Sequence, residues 1–194
     1  MNVYKIWGLR KIWLTFENFF FNFKYKSILG NKVNIYGSPY VFIPKNASAK
    51  FGKNVTLISS SYFSEPGVNH EVMIRLLNEN AKLTIGNNVG ISGGGVCVQE
   101  EVVIGNEVMF GANAFVTDTD FHPVAPENRR FSKENVKSKK VQIDDNVFIG
   151  MNTVILKGVH IGKNSIIAAG SVVVKDVPAN QIWGGNPAKF LREL

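Results

Sequence analysis

The segment Asp118-Thr-Asp-Phe-His-Pro123 carries the clearest chemistry in the chain. An imidazole titrates near neutrality, so His122 can take a proton from a weak hydroxyl nucleophile and return it to a departing group. Asp118 or Asp120 could hold its second ring nitrogen, as a third group orients a base. Either could equally be a turn acid bonded to nearby backbone, and a histidine beside proline could simply pack under its loop. His70 could line a pocket or stand in solvent, and His160 reads as a surface residue. The three histidines show no pair a few residues apart, which argues against a local metal site. The one cysteine, Cys97, excludes an intrachain disulfide and a Cys-rich zinc site. It occupies an aliphatic position of the repeat described next, which points it inward, where a thiol is inert.

What holds His122 in place is a repeat of six. From Ile143 the chain runs IDDNVF, IGMNTV, ILKGVH, IGKNSI, IAAGSV, VVKDVP without a gap. Ile143, Ile149, Ile155, Ile161, Ile167 and Val173 share one phase, and Val147, Thr153, Val159, Ser165, Ser171 and Val177 share another. The first phase recurs upstream at Ile85, Ile91 and Cys97, then after a one-residue slip at Ile104, Phe110 and Val116, with weaker traces at Ile35, Val41, Phe51 and Leu57. Six matches neither the 3.6 period of a helix nor the period of two along a strand. It fits short strands joined by tight corners, where glycine and asparagine adopt the positive φ that corners need. Three hexads then make one turn of a triangular prism with aliphatics stacked along its axis.

Two stretches break the rhythm, roughly 58–72 and 117–140. Insertions in a solenoid leave its surface and commonly build the site. The second holds His122 and a basic run, Arg129, Arg130, Lys133, Lys137, Lys139 and Lys140. Residues 1–32 lie outside the repeat and form an N-terminal segment, with 33–194 as the repeat domain. Ile6, Leu9, Trp13, Phe16, Phe20 and Phe23 step by three and four, the apolar face of an amphipathic helix, with Lys5, Lys11, Asn18 and Asn22 on the other side. Residues 1–26 hold nine aromatics and five basic residues against Glu17. Such a face suits a membrane interface, or it packs on the first coil and covers the open end of the prism. Ala188 to Leu194 reads as a short C-terminal helix.

The composition narrows the classes. With 194 residues and 45% hydrophobic content, one domain with a real core is expected. A net charge of +7 favours anionic ligands. Nucleic acid is disfavoured, because the aromatics gather at one end instead of interleaving with a basic groove. No stretch has the length of a transmembrane helix and no signal-peptide pattern is visible, so a cytoplasmic location is expected, with peripheral contact at the inner membrane as the alternative role of the first residues.

The repeat, the loop containing DFHP and the ending WGGNPAKFLREL resemble the hexapeptide-repeat acyltransferases over roughly residues 33–194. The branch most similar is that of the galactoside, maltose and surface-polysaccharide O-acetyltransferases. This resemblance implies an all-β solenoid, a left-handed parallel β-helix, working as a homotrimer with acetyl-CoA as co-substrate and no metal. It implies that His122 is the general base; of the two loop acids, Asp120 is the catalytic candidate placed beside it on its chemistry alone. Coenzyme A would lie between subunits against backbone near Met151 and Ala169, with Lys175 and Arg192 at its phosphate end. Ser92 stands where relatives carry an acceptor-holding asparagine, and His70 is a second candidate for the acceptor pocket. The expected function is O-acetylation of a sugar hydroxyl on a bacterial surface-polysaccharide (capsule or lipopolysaccharide O-antigen) precursor. N-acetylation of an amino-sugar nucleotide, or a non-catalytic scaffold, are the alternatives.

Overall fold

The computed structural model describes the backbone of residues 3–194 and the side chains from Arg10 onward. Expectations for the side chains of Lys5, Ile6 and Leu9 fall outside the described residues. The prism is as expected: short strands wind into three sheets of eight, six and five strands, parallel except for the last strand of the eight, a left-handed parallel β-helix. We call them the first, second and third sheets in the order the chain meets them. The first corner joins the first sheet to the second, the second corner joins the second to the third, and the third closes the coil.

The repeat produces the core directly. On the first sheet Ile35, Leu57, Ile91, Phe110, Ile149 and Ile167 lie in register, one per coil, and all are buried. A buried side chain of this size contributes about 1.5–3 kcal/mol, so the column is a main source of stability. At the third corner Asn54, Asn88, Asn146, Asn164 and Asn180 adopt positive φ. Their amides stack from coil to coil, with Asn54 donating to Asn88 at 3.0 Å and Asn164 to Asn180 at 2.7 Å. Thr153, Ser165 and Ser171, buried at the second phase, donate to the carbonyls of Ala168, Pro178 and Ala168.

Three details differ from the reading of the sequence. The slip lies one coil edge earlier than expected, at Gly93–Gly95. Gly93 and Gly94 both adopt φ +58 and absorb an extra residue, so Val96 and Val98 point inward and Cys97 does not. Cys97 faces outward on the second sheet between Arg75 and Thr117, and is buried there at 3% exposure. Burial raises its thiol pKa, partly offset by the charge of Arg75.

Ala188–Glu193 is not a helix. It is a strand antiparallel to Gln181–Gly185, reached through the cis Asn186–Pro187 peptide. Six residues make less than two helical turns, which would leave most backbone groups unpaired; the hairpin satisfies them.

The N-terminal helix, α1 (Val3–Leu29), forms, but the face on the prism is the opposite one. Asn18 donates to the Ile35 carbonyl at 2.7 Å and accepts from the Ile35 N–H at 2.8 Å. Asn22 does the same with Val33, at 2.8 Å each way. Residues four apart on a helix rise about 6 Å, and residues two apart on a strand about 6.7 Å, so the two amides match the bonding groups of the edge strand Val33–Tyr36. Hydrogen bonding outweighs aromatic burial here because an uncovered strand edge leaves obligatory donors and acceptors open. Phe21 and Leu29 are buried beside this contact. Among the described residues no helix is long and apolar enough to cross a membrane.

Candidate active site

The two insertions leave the prism at different corners. Residues 59–72 leave from the first, and their return is held by Asn113, whose Oδ1 accepts from the Asn69 N–H at 2.7 Å. Residues 118–140 leave from the second. Asp118, fully buried, anchors that root: Oδ1 accepts from Gln99 N–H at 2.7 Å, and Oδ2 from Glu100 and Glu101 N–H at 2.7 and 2.8 Å. Above it the loop closes into a neck. Lys139 N–H donates to the Asp118 carbonyl at 2.8 Å, Asp120 N–H to the Lys137 carbonyl at 3.1 Å, and Ser138 Oγ to Thr119 Oγ1 at 3.0 Å.

Two expectations are corrected at this point. Asp118 does not orient the imidazole, because both its oxygens are committed to the coil below. Asp120 does not touch it either within one chain; its Oδ1 is 2.5 Å from Lys157 Nζ. Nothing in the spacing along the chain marks this pairing, since most of the insertion separates the two residues.

At the neck Phe121 adopts φ +61 and turns the chain outward. His122 N–H donates to the Asp120 carbonyl at 2.7 Å, and its ring is exposed with no bonding partner among the described residues. Pro126, Asn128, Arg129 and Phe131 form with it an open hollow of about 540 Å³. Arg129 binds the carbonyls of Val124 and Ala125, which holds the crown of the loop. An imidazole held by backbone but left free at both nitrogens is available to exchange protons with a ligand.

The other expected residues divide between corners. Ser92, Met151 and Ala169 lie on the first corner, and His70 sits in the insertion that leaves from it. The His70 ring nitrogen Nδ1 lies 2.6 Å from the Glu71 carbonyl. Met151 and Ala169 stack one coil apart, with Gly170 N–H donating to the Met151 carbonyl at 2.7 Å. The N–H groups of Met151 and Ala169 themselves donate to nothing among the described residues. Lys157 and Lys175 rise along the second corner beyond the loop root, Lys175 exposed and without an ionic partner among the described residues. Arg192 lies on the terminal hairpin strand opposite Ile182.

One chain therefore does not bring His122 together with Met151 and Ala169; the length of a strand of the second sheet, about 10 Å for three residues, lies between their corners. The outer faces flanking the first corner expose large apolar side chains, Met109 and Phe148 on the first sheet and Tyr40 and Phe42 on the second, with Arg75 beside Phe42. The third sheet presents Lys50, Lys82 and His160 instead. A groove of about 850 Å³ lies between α1 and the first sheet and is lined by none of these residues. Asn113 and Lys157 are the site-building residues the sequence reading missed. Asn113 carries a faint signal, an asparagine at a corner position.

Residues 140–175 match the family described as bacterial transferase hexapeptide (six repeats). The chain is 44% identical over 94 residues to the galactoside O-acetyltransferase of Lactococcus lactis, a match covering 48% of this chain and 44% of that one. It thus spans under half the length of that relative. Among solved structures it is similar to a hexapeptide-repeat acetyltransferase of Vibrio cholerae complexed with acetyl coenzyme A, at TM-score 0.50 and 27% identity over 87% of this chain and 73% of that one. The fold is also that of AntD, an N-acyltransferase from Bacillus cereus solved with dTDP and 3-hydroxybutyryl-CoA, at TM-score 0.64 and 20% identity over 84% and 81%.

Proposed function

The chain carries the repeat of the hexapeptide-repeat transferases, and from that premise we propose that it is an acetyl-CoA-dependent O-acetyltransferase acting on a sugar hydroxyl of a bacterial surface-polysaccharide precursor. The likeness to a galactoside O-acetyltransferase and to a structure holding acetyl coenzyme A supports this. The observation that carries it is the exposed, unpartnered imidazole of His122 at the neck of the second-corner loop.

Acetyl-CoA supplies an activated thioester carbonyl. His122 takes the acceptor's hydroxyl proton as the oxygen attacks that carbon, then passes it to the sulfur as the C–S bond breaks. The stacked Met151 and Ala169 N–H groups fit the donors such a ligand needs, for its amides or for charge developing on the carbonyl oxygen. Lys175 and Arg192 offer the cations for its phosphates. Asp120 would orient His122 only if Lys157 released it or the loop tightened around the acceptor. Ser92 and His70, near the first corner, are the proposed acceptor contacts.

The division of the site between corners supports assembly from neighbouring copies, and we read the apolar first and second faces as the contact surfaces of a homotrimer working in the cytoplasm. Holding both substrates between subunits would supply much of the rate.

The test is transfer from acetyl-CoA to a panel of nucleotide sugars, lipid-linked sugars and amino-sugar nucleotides. His122→Ala should lower kcat by about two to four orders of magnitude while acetyl-CoA affinity holds. Wild-type turnover in that variant removes His122 from the mechanism; transfer to nitrogen alone overturns O-acylation.

A further inference from the structure

The Asn18 and Asn22 bonds fix the rotation of α1 about its own axis, and so decide what its other side meets. At about 100° per residue, Ile12, Trp13, Phe16, Phe19, Phe20 and Phe23 fill an arc of about 120° on the side away from the strand. All six are more than half exposed, up to 82% at Phe23. Their ring contacts are with each other: Phe19 lies edge-on to Phe20 at 5.6 Å and stacks on Phe23 at 6.4 Å. Lys26 borders the arc on one side and Lys24 on the other, where Glu17, the one acid of the helix, follows it; Arg10 stands further round, its guanidinium 3.6 Å from the Tyr62 ring centroid. Phe19 and Phe23 also line the 850 Å³ groove beside the helix, whose rim carries Lys26 and Lys32.

We propose that this face of α1 is a membrane foot, lying flat in the interface of a bilayer that contains anionic lipid. Aromatic rings favour the level of the headgroups, and cations at the flanks reach lipid phosphates. A helix with an apolar face, a cationic border and no capacity to cross the bilayer lies in the plane of the surface. The same border argues against a second copy as the occupant, because two such helices face to face would oppose Lys24 and Lys26 to their own kind. The prism does not compete for the face, since its edge is already satisfied by the two asparagines. This inference does not rest on the acetyltransferase reading, so either can fail alone.

The experiment is flotation of the full chain with vesicles of phosphatidylcholine alone and with added phosphatidylglycerol. The chain should float with the anionic vesicles. Phe20→Ser with Phe23→Ser should lower the partition coefficient at least about tenfold, and Lys24→Glu with Lys26→Glu should do so on anionic vesicles only. Neither pair touches the Asn18 and Asn22 contacts, so circular dichroism should be unchanged. Absence of wild-type binding to anionic vesicles overturns the proposal. So does undiminished binding in the aromatic variant, or a lipid-free wild-type assembly that this variant splits, which would make the face a contact between copies.

Discussion

Replacing Asp118 separates an anchor from an orienter. Its carboxylate receives three backbone N–H groups at 2.7–2.8 Å from the corner 99–101 of the coil below. Hydrogen bonds to a charged group are worth about 1.5–3 kcal/mol each. Glu100 is exposed and its neighbours half-buried, so water can recover part of the loss in Asp118→Ala. The lower end applies, about 3–5 kcal/mol for the three. Asp118→Asn can set its oxygen at the Oδ2 position, keeping the bonds from Glu100 and Glu101, while its amide meets the Gln99 N–H donor to donor. That should cost about half as much, roughly 1.5–3 kcal/mol. For a chain of this length each kcal/mol moves Tm by about 2–4 °C, so the alanine variant should melt about 6–20 °C lower. Guanidinium and thermal unfolding at fixed protein concentration measure both. If Asp118→Ala unfolds within about 1 kcal/mol of wild type while turnover collapses, the anchor argument is wrong and the acid acts on the imidazole after all.

Gly94→Ala places a methyl 2.0 Å from the Ala114 carbonyl oxygen at φ +58, and should cost about 2–5 kcal/mol; unfolding midpoints check it, and a neutral result would mean the corner relaxes. Burial raises the Cys97 thiol pKa, so a thiol reagent at neutral pH should label it only as the protein unfolds; rapid labelling of native protein refutes this. Burial pushes the Asp144 carboxyl up, but hydrogen bonds from Gln142 and His160 and the His160 charge more than offset it, leaving its pKa lowered. A carboxylate lowered in the folded state stabilises above about pH 4 and loses that as pH falls through its folded value. In His160→Ala the Asp144 pKa should rise, read by carboxyl NMR titration, with under about 1 kcal/mol of stability lost above about pH 4; an unmoved titration refutes the pairing.

The prism was legible because every coil repeats the same demand: Ile143, Ile149, Ile155, Ile161 and Ile167 all meet the axis, so the phase is written many times over. Cys97 was misplaced because a slip shows only where the phase resumes; the glycines that absorb it have no side chain to mark the shift. Of the two roles open for the aromatic face of α1, packing on the first coil fails for a different reason. Apolar periodicity assumes that burial decides docking, whereas Asn18 and Asn22 answer a strand edge whose position exists only once the fold is made. His122 was visible as chemistry, but the partners of Asp118 and Asp120 come from coils distant in sequence, and spacing along the chain carries no trace of them. The hairpin at 181–193 likewise depends on the first sheet offering an edge to extend.

A parallel coil has no inherent length, because each rung presents on its edge the same row of donors and acceptors that recruited the one before. Left open, such a row can template the rung of another molecule, and growth becomes polymerisation in register, as in cross-β fibrils. Asn18 and Asn22 act as chain stoppers at the Val33–Tyr36 edge: they fill the bonding positions of a next strand with side-chain amides that carry no further strand behind them. A leucine at both positions would leave the helix able to form yet reopen the row, converting each molecule into a seed.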